Sequence, residues 1–210
     1  MPMYRWLPCV LLLLAPFAQA GGLRSIVIDP SPAGHERQFS GWRYDAPVPE
    51  QQQVDLELGD DIAGATLRLL PAQADGGQYR VSVQFETSMA LSGEGPHLDF
   101  VDWKHCRSEW RPARNSRGLE FALPVPAEHE STCFPPTTTD EIVAETQRVL
   151  VRNGMVADGA HWLDLARSVR VPGELPTYVG ISKVRVRIEQ RHGDAWRVIH
   201  TIDFLPPMGC

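Results

Sequence analysis

The chain has 210 residues and a formal net charge of -6 at pH 7, from 26 acidic and 20 basic side chains. A mildly acidic chain is a poor candidate for a nucleic-acid-binding protein, because the neutralisation of phosphates requires clusters of basic side chains. Only Lys104 and Lys183 of the basic residues are lysines, a bias that is typical of a GC-rich bacterial genome.

The N-terminus has the layout of a secretory signal peptide. Arg5 precedes an apolar run from Val10 to Leu14, and Ala18-Gln-Ala20 forms a small-x-small cleavage site. The run is shorter than the roughly 20 apolar residues that span a bilayer, so a retained membrane anchor is the less favoured alternative. Residues 1–20 are therefore predicted to be removed, leaving 21–210 as a single secreted α+β domain without a membrane span, in the periplasm or outside the cell.

Alternating apolar and polar residues predict β-strands in the first half of the chain. One short strand is predicted at 25–29, and others begin at Val54 and cover 66–70 and 79–86. The Asp-Gly-Gly turn at 75–77 predicts that the last two form a hairpin. Because 79–86 has one apolar and one polar face, the sheet is expected to be antiparallel with one solvated face.

Two amphipathic helices are predicted next. Thr138 and Glu141 have the spacing of a capping box, and apolar residues repeat at helical intervals after them. A second helix is predicted around Trp162, with apolar side chains at i, i+3, i+4 and i+7. Two short helices joined by a few residues should pack as a hairpin against the sheet.

The C-terminal segment predicts a β-hairpin around the His-Gly-Asp turn at 192–194. The side chains expected to face inward after the turn are Trp196, Val198, His200, Ile202 and Phe204. The predicted fold is thus one α+β domain: a small antiparallel β-sheet or β-meander, a two-helix hairpin packed on it, and the C-terminal β-hairpin.

The polar face of this hairpin allows two interpretations. Its ladder of Arg185, Arg187 and Arg197 suits an acidic partner. More often such a ladder is a solvated face, on which arginines pair across the strands with carboxylates such as those of Glu189 and Asp203.

Three cysteines remain after cleavage of the signal, and an oxidising compartment favours disulfides. Cys106 and Cys133 are predicted to pair and to close a loop of about 27 residues. By lowering the entropy of the unfolded chain, this bond would stabilise the fold by about 3.5 kcal/mol at most. Cys210 would then be free or would pair between molecules, and its pairing with Cys106 or Cys133 is the alternative.

The stretch 93–110 is the richest in reactive side chains. Two His with a carboxylate suit zinc or non-haem iron, although neither spacing here is a fixed metal signature. The candidate metal ligands are His97, Asp99, Asp102 and His105. With Glu109, the carboxylates also suggest the acid/base pair of a glycosidase. The alternative function is therefore a metal-dependent or glycan-directed hydrolase that uses the 97–109 cluster.

The favoured function is not enzymatic. The chain has no Gly-x-Ser-x-Gly elbow, phosphate loop or dinucleotide fingerprint, and no cofactor is predicted. We expect an exported soluble protein that binds another protein of the bacterial envelope, such as an inhibitor or neutraliser of it. Because Trp and Arg dominate interface energies, the predicted interface residues are Trp103, Lys104, Arg107 and Trp110. A carbohydrate-binding module that stacks Trp103 or Trp110 on a sugar is a third hypothesis, and the sequence sets no oligomeric state.

Overall fold

The computed structural model describes residues 23–29, 41–45, 50–57, 60, 62–72, 76–92 and 97–208. The predicted signal peptide and the terminal Cys210 lie outside the described residues. Of the described residues, 48% are in strands and 19% in helices, so the protein is mostly β.

Twelve strands and three helices are present in the described part of the chain. The strands are β1 (Leu23–Asp29), β2 (Trp42–Asp45), β3 (Gln51–Asp55), β4 (Thr66–Pro71), β5 (Tyr79–Ser92), β6 (His97–Asp99), β7 (Cys106–Arg107), β8 (Arg111–Pro112), β9 (Arg114–Arg117), β10 (Glu120–Ala122), β11 (Thr177–His192) and β12 (Ala195–Leu205). The helices are α1 (Glu128–Ser131), α2 (Thr139–Arg152) and α3 (Gly159–Ser168), with one 3-10 turn at Val156–Asp158. None of the helices described is long and apolar enough to span a membrane.

The strands form two sheets. Sheet A has the order β2-β1-β4-β10-β9, and its described pairs are antiparallel. Sheet B has the order β3-β12-β11-β5-β6, with β7 and β8 also pairing along β5. In sheet B the β12–β3 pair is parallel.

The predicted fold class is wrong, because the body of the protein is two sheets that share one core rather than a small sheet with a helix hairpin. The error begins at the turn predicted at 75–77. The strands on either side of it, β4 and β5, do not pair: β4 pairs with β1 and β10 in sheet A, whereas β5 pairs with β11 in sheet B. Period-two alternation shows that a strand buries one face, but it does not show which strand lies beside it.

The shared core lies between the sheets. Both sheets contribute fully buried aliphatic and aromatic side chains to one cluster. From sheet A they include Ile26, Ile28, Leu67, Leu69 and Phe121, and from sheet B they include Val81, Val83, Phe85, Val186, Ile188, Ile202 and Phe204. The apolar phase predicted for 79–86 is therefore confirmed, although it faces a second sheet.

The long β5–β11 pair carries a second core at its far end. Its strands pair from Gln190 opposite Tyr79 to Thr177 opposite Leu91. At that end, α2 and α3 pack their apolar faces against β5 and β6. The buried side chains of this second core are Met89, Leu91, Leu98, Phe100, Ile142, Val149, Leu150, Trp162, Ala166 and Val169. The predicted capping box is also confirmed, because Thr138 Oγ1 accepts from Glu141 N and the Glu141 carboxylate accepts from Thr138 N.

A β-bulge changes the predicted orientation of the last strand. Ile188 lies opposite His200, but Glu189 lies opposite Val198, so Ile199 is an extra residue. His200, Ile202 and Phe204 are buried as predicted, and His200 stacks on Tyr44. Trp196 and Val198 were expected on the same inner side, and this expectation is wrong because the bulge reverses the phase before it.

Candidate functional site

A row of five side chains crosses the face of sheet B that points away from the core, which we call the outer face. In order they are Trp110, Arg187, Glu189, Arg80 and Trp196. The Arg187 guanidinium lies 4.1 Å from the Trp110 ring centroid, and its Nε is 3.5 Å from the Glu189 carboxylate. Arg80 donates to both Glu189 oxygens, at 2.7 and 2.8 Å, and lies 4.7 Å from the Trp196 centroid. Two cations thus share one carboxylate between two aromatic rings.

The strand geometry explains how the row assembles. Arg80 and Glu189 are direct partners across the β5–β11 pair, so their side chains lie on one side of the sheet. Trp110 immediately precedes β8, which pairs with β5 opposite Ser82 and Val83. Trp196 joins the row because the bulge in β12 turns it outward.

The row is held in its charged form. Hydrogen bonds from Arg80 hold the pKa of Glu189 below its ordinary value, against burial, which raises it, and with help from the charge of Arg187. Arg187 also donates from Nε to Ser82 Oγ at 3.2 Å. The row is therefore fixed by directional contacts at Arg80, Arg187 and Glu189.

A second ion cluster lies further along β5. Glu86 accepts from Arg107 Nε at 2.6 Å and from Lys183 Nζ at 3.1 Å, and its carboxylate is 3.7 Å from His105 Nδ1. Burial raises the pKa of Glu86, but the hydrogen bonds from Arg107 and Lys183 outweigh it and leave the pKa below its ordinary value. The predicted pairing across the last hairpin is confirmed by the two bonds from Arg185 to Asp203, at 2.6 and 2.7 Å.

The outer face presents its basic groups to solvent and buries its carboxylates. Its ion pairs join five basic side chains, Arg80, Arg107, Lys183, Arg185 and Arg187, to three carboxylates, Glu86, Glu189 and Asp203. The basic side chains are 26% to 57% exposed, and the carboxylates only 6% to 9%. The prediction of a simple solvated face is therefore incomplete: a partner would meet a cationic layer over buried anions.

The predicted disulfide is confirmed and helps to hold this layer. Cys106 and Cys133 are bonded, with their Cα atoms 5.7 Å apart. The bond ties β7 to the loop before α2, and Thr87 Oγ1 of β5 donates to the Cys133 carbonyl at 2.6 Å. This anchorage holds β7, in which Arg107 lies opposite Glu86 of β5.

The four predicted interface residues divide between two places. Arg107 and Trp110 belong to the outer face. Trp103 packs on the second core, with its ring centroid 5.8 Å from Phe100, and Lys104 donates to Glu141 at 2.8 Å at the start of α2.

The four predicted metal ligands make three separate contacts. His97 Nδ1 lies 2.7 Å from the Asp99 carboxylate, whose pKa is raised by burial despite this histidine. Asp102 pairs with Arg152 of α2 at 2.7 Å, and His105 contacts Ser88 at 3.1 Å. Among the residues with described positions, no group of three or more His, Cys, Asp or Glu could hold a metal ion.

Ser88, His105 and Glu86 have the composition of a hydrolytic triad, which the sequence did not indicate. However, the serine hydroxyl and the Glu86 carboxylate both approach Nδ1 of His105. A catalytic triad uses the two ring nitrogens separately. Ser88 is also fully buried and shares a 2.7 Å hydrogen bond with Ser182. These contacts fasten the 105–107 segment to β5 and do not present a nucleophile to a substrate.

Sequence reasoning missed Arg80, Glu189 and Trp196 as site residues. Alternation did place Arg80 and Glu189 on the polar sides of their strands, but nothing local joins residues 109 positions apart. Comparison of the chain with models of protein families, with curated proteins and with solved structures found no match. The outer face of sheet B is therefore identified as the candidate site from its geometry.

Proposed function

We propose that this chain is an exported interaction protein of the bacterial envelope, and that it binds a protein with an acidic surface through the outer face of sheet B. The observation that carries the proposal is the row from Trp110 through Arg187, Glu189 and Arg80 to Trp196. Tryptophan and arginine are the residues on which binding energy most often concentrates at interfaces.

The row is suited to binding because its long side chains are already held. An interface loses free energy when it immobilises flexible side chains, about 0.5–1.5 kcal/mol for each. Here Arg80 is fixed by two hydrogen bonds to Glu189, and Arg187 is fixed by Ser82 and by the ring of Trp110. Much of that ordering cost is therefore met in the free protein.

Charge favours an acidic partner. The exposed groups of the row are cations, whereas the whole chain carries a net charge of -6. A local patch of the opposite sign selects the orientation in which an acidic partner approaches, and it accelerates association at low salt. A face held rigid by ion pairs also suits the covering of a partner's surface, as an inhibitor or neutraliser does.

Export is supported by two features. The first 20 residues have the layout of a signal peptide. The Cys106–Cys133 bond suits an oxidising compartment such as the periplasm or the cell exterior.

Site-specific photo-crosslinking tests the proposal. Val198 lies opposite Glu189 and is 52% exposed, so a benzoylphenylalanine placed there samples a partner on the outer face. Leu175, which is 89% exposed in the loop before β11, is the matched control. In envelope extract we expect one acidic protein to crosslink at position 198 and not at 175, and its yield to fall in an Arg80→Gln/Arg187→Gln background. Equal adducts at both positions, or a yield that the arginine substitutions leave unchanged, would overturn the proposal.

A further inference from the structure

We infer that Arg187 and Trp110 form an anchoring pocket for a single carboxylate of the partner, an Asp or Glu side chain. This inference rests on the proposed function and names the group that the outer face recognises. A pocket of about 290 Å³ opens at the Trp110 end of the row. Arg187, Arg80 and Trp110 line it together with Ser82, Pro112 and Glu189.

Arg187 differs from Arg80 and Arg185 in how its guanidinium is used. Arg80 is bound by both oxygens of Glu189, and Arg185 by both oxygens of Asp203. Arg187 donates only from Nε, to Ser82. Within the described part of the chain, its two terminal nitrogens have no hydrogen-bond acceptor. A guanidinium edge with two free nitrogens matches the two oxygens of a carboxylate.

The ring of Trp110 orients this edge. The Arg187 guanidinium lies over the ring, 4.1 Å from its centroid, so the ring covers one face of the guanidinium and leaves its edge as the hydrogen-bonding side. Because Arg187 is also held by Ser82, a carboxylate that binds does not have to order a flexible side chain.

The local charge selects a monoanion. Arg80 and Arg187 face one carboxylate, Glu189, so this part of the row has one positive charge in excess. Glu189 is covered and both its oxygens accept from Arg80, which limits its repulsion of an incoming carboxylate. The ring of Trp110 and Pro112, which also line the pocket, suit the methylene groups of an acidic side chain better than a fully hydrated ion.

The test uses the full chain and blocked tripeptides. Binding of acetyl-Gly-Glu-Gly-amide is followed by the NMR shifts of the Trp110 indole N–H and the Arg187 Nε–H, with the Gln tripeptide as the uncharged control. We expect saturable shifts with the Glu peptide only. Arg187→Gln should weaken its binding about tenfold, in line with the loss of a charge-assisted pair. Arg187→Lys, which keeps the charge but not the fork, should weaken it similarly. Arg197→Gln removes an exposed charge elsewhere on β12 and should leave binding within about twofold.

The outcomes separate the pocket from the wider proposal. Shifts that the Gln peptide also produces, or that survive Arg187→Gln, would overturn the pocket. Tighter binding of glucuronate at the same two signals would assign the pocket to an acidic glycan and overturn the protein side chain as its occupant. If the pocket fails while crosslinking at position 198 succeeds, the interaction face stands without it. If crosslinking fails, the proposed function fails whatever the peptides do.

Discussion

Arg107 donates from Nε to the Glu86 carboxylate at 2.6 Å, and this contact helps to fasten the two-residue strand β7 to the edge of β5 that does not pair with β11. Glu86 sits among basic groups, since Lys183 also donates to it. Two basic side chains of the outer face, Arg107 and Lys183, therefore depend on the negative charge of one nearly buried carboxylate.

Replacement of Glu86 by Gln should therefore destabilise the fold. The change keeps the shape but leaves Arg107 and Lys183 without their counter-charge, and we expect a loss of about 1–3 kcal/mol in urea denaturation at pH 7. Glu109→Gln, at an exposed position in the same segment, is the control and should stay within about 0.5 kcal/mol.

The stability that Glu86 contributes should decrease as the pH is lowered. Its pKa is lower in the folded protein than in the unfolded chain, so the unfolded chain binds more protons at acidic pH. The stability it contributes is fully present above the ordinary value of 4.5 and is lost as the pH falls through the folded pKa. The gap between the wild type and Glu86→Gln should thus narrow below pH 4.5. A gap that is constant from pH 7 to pH 3 would contradict this account.

Loss of the disulfide should lower the stability of the whole fold. The Cys106→Ala/Cys133→Ala double variant frees a segment of sequence separation 27 and should lower the free energy of unfolding by about 2–4 kcal/mol. The wild type measured with a reductant should approach the variant. If the denaturation midpoint of the oxidised wild type equals that of the variant, the bond does not stabilise the fold.

Features that depend on neighbouring residues were predictable from the sequence. The capping box of Thr138 and Glu141 is one, because its bonds join residues three apart. Another is the apolar phase of β5, which follows from alternation. The disulfide followed from the small number of cysteines and the expected compartment.

Features that depend on long-range pairing were not predictable. Alternation in β4 and β5 fits either a hairpin or two facing sheets, and nothing in the sequence at 75–77 decides between them. The extra residue Ile199 reverses Trp196 without a sequence signal such as glycine. Trp103 and Trp110 are seven positions apart, yet one packs against Phe100 and the other under Arg187.

The helices should depend on the second core. Phe100 is fully buried and meets the edge of Trp103. Phe100→Ala should cost about 3–5 kcal/mol, and Phe100→Leu less, because it leaves a smaller cavity. Val151→Ala, on the exposed side of α2, is the control and should change the midpoint little. Hydrogen exchange should show faster opening of α2 in Phe100→Leu than in the control, and equal exchange in both would contradict the packing described.

Lys104, a predicted interface residue, should set the pKa of Glu141 at the start of α2. Its hydrogen bond to Glu141, aided by the backbone N–H of Thr138, lowers the pKa of Glu141 from 4.5 to about 2. Because the folded pKa is the lower one, the stability from Glu141 is present above pH 4.5 and disappears between about pH 4.5 and pH 2. In Lys104→Gln, the pKa of Glu141 measured by carboxyl NMR should rise toward 4.5. Arg152→Gln, which removes a charge from the other end of the same helix, should leave it near 2. A low value that persists in Lys104→Gln would show that the backbone cap alone sets it, and would release Lys104 for a role at an interface.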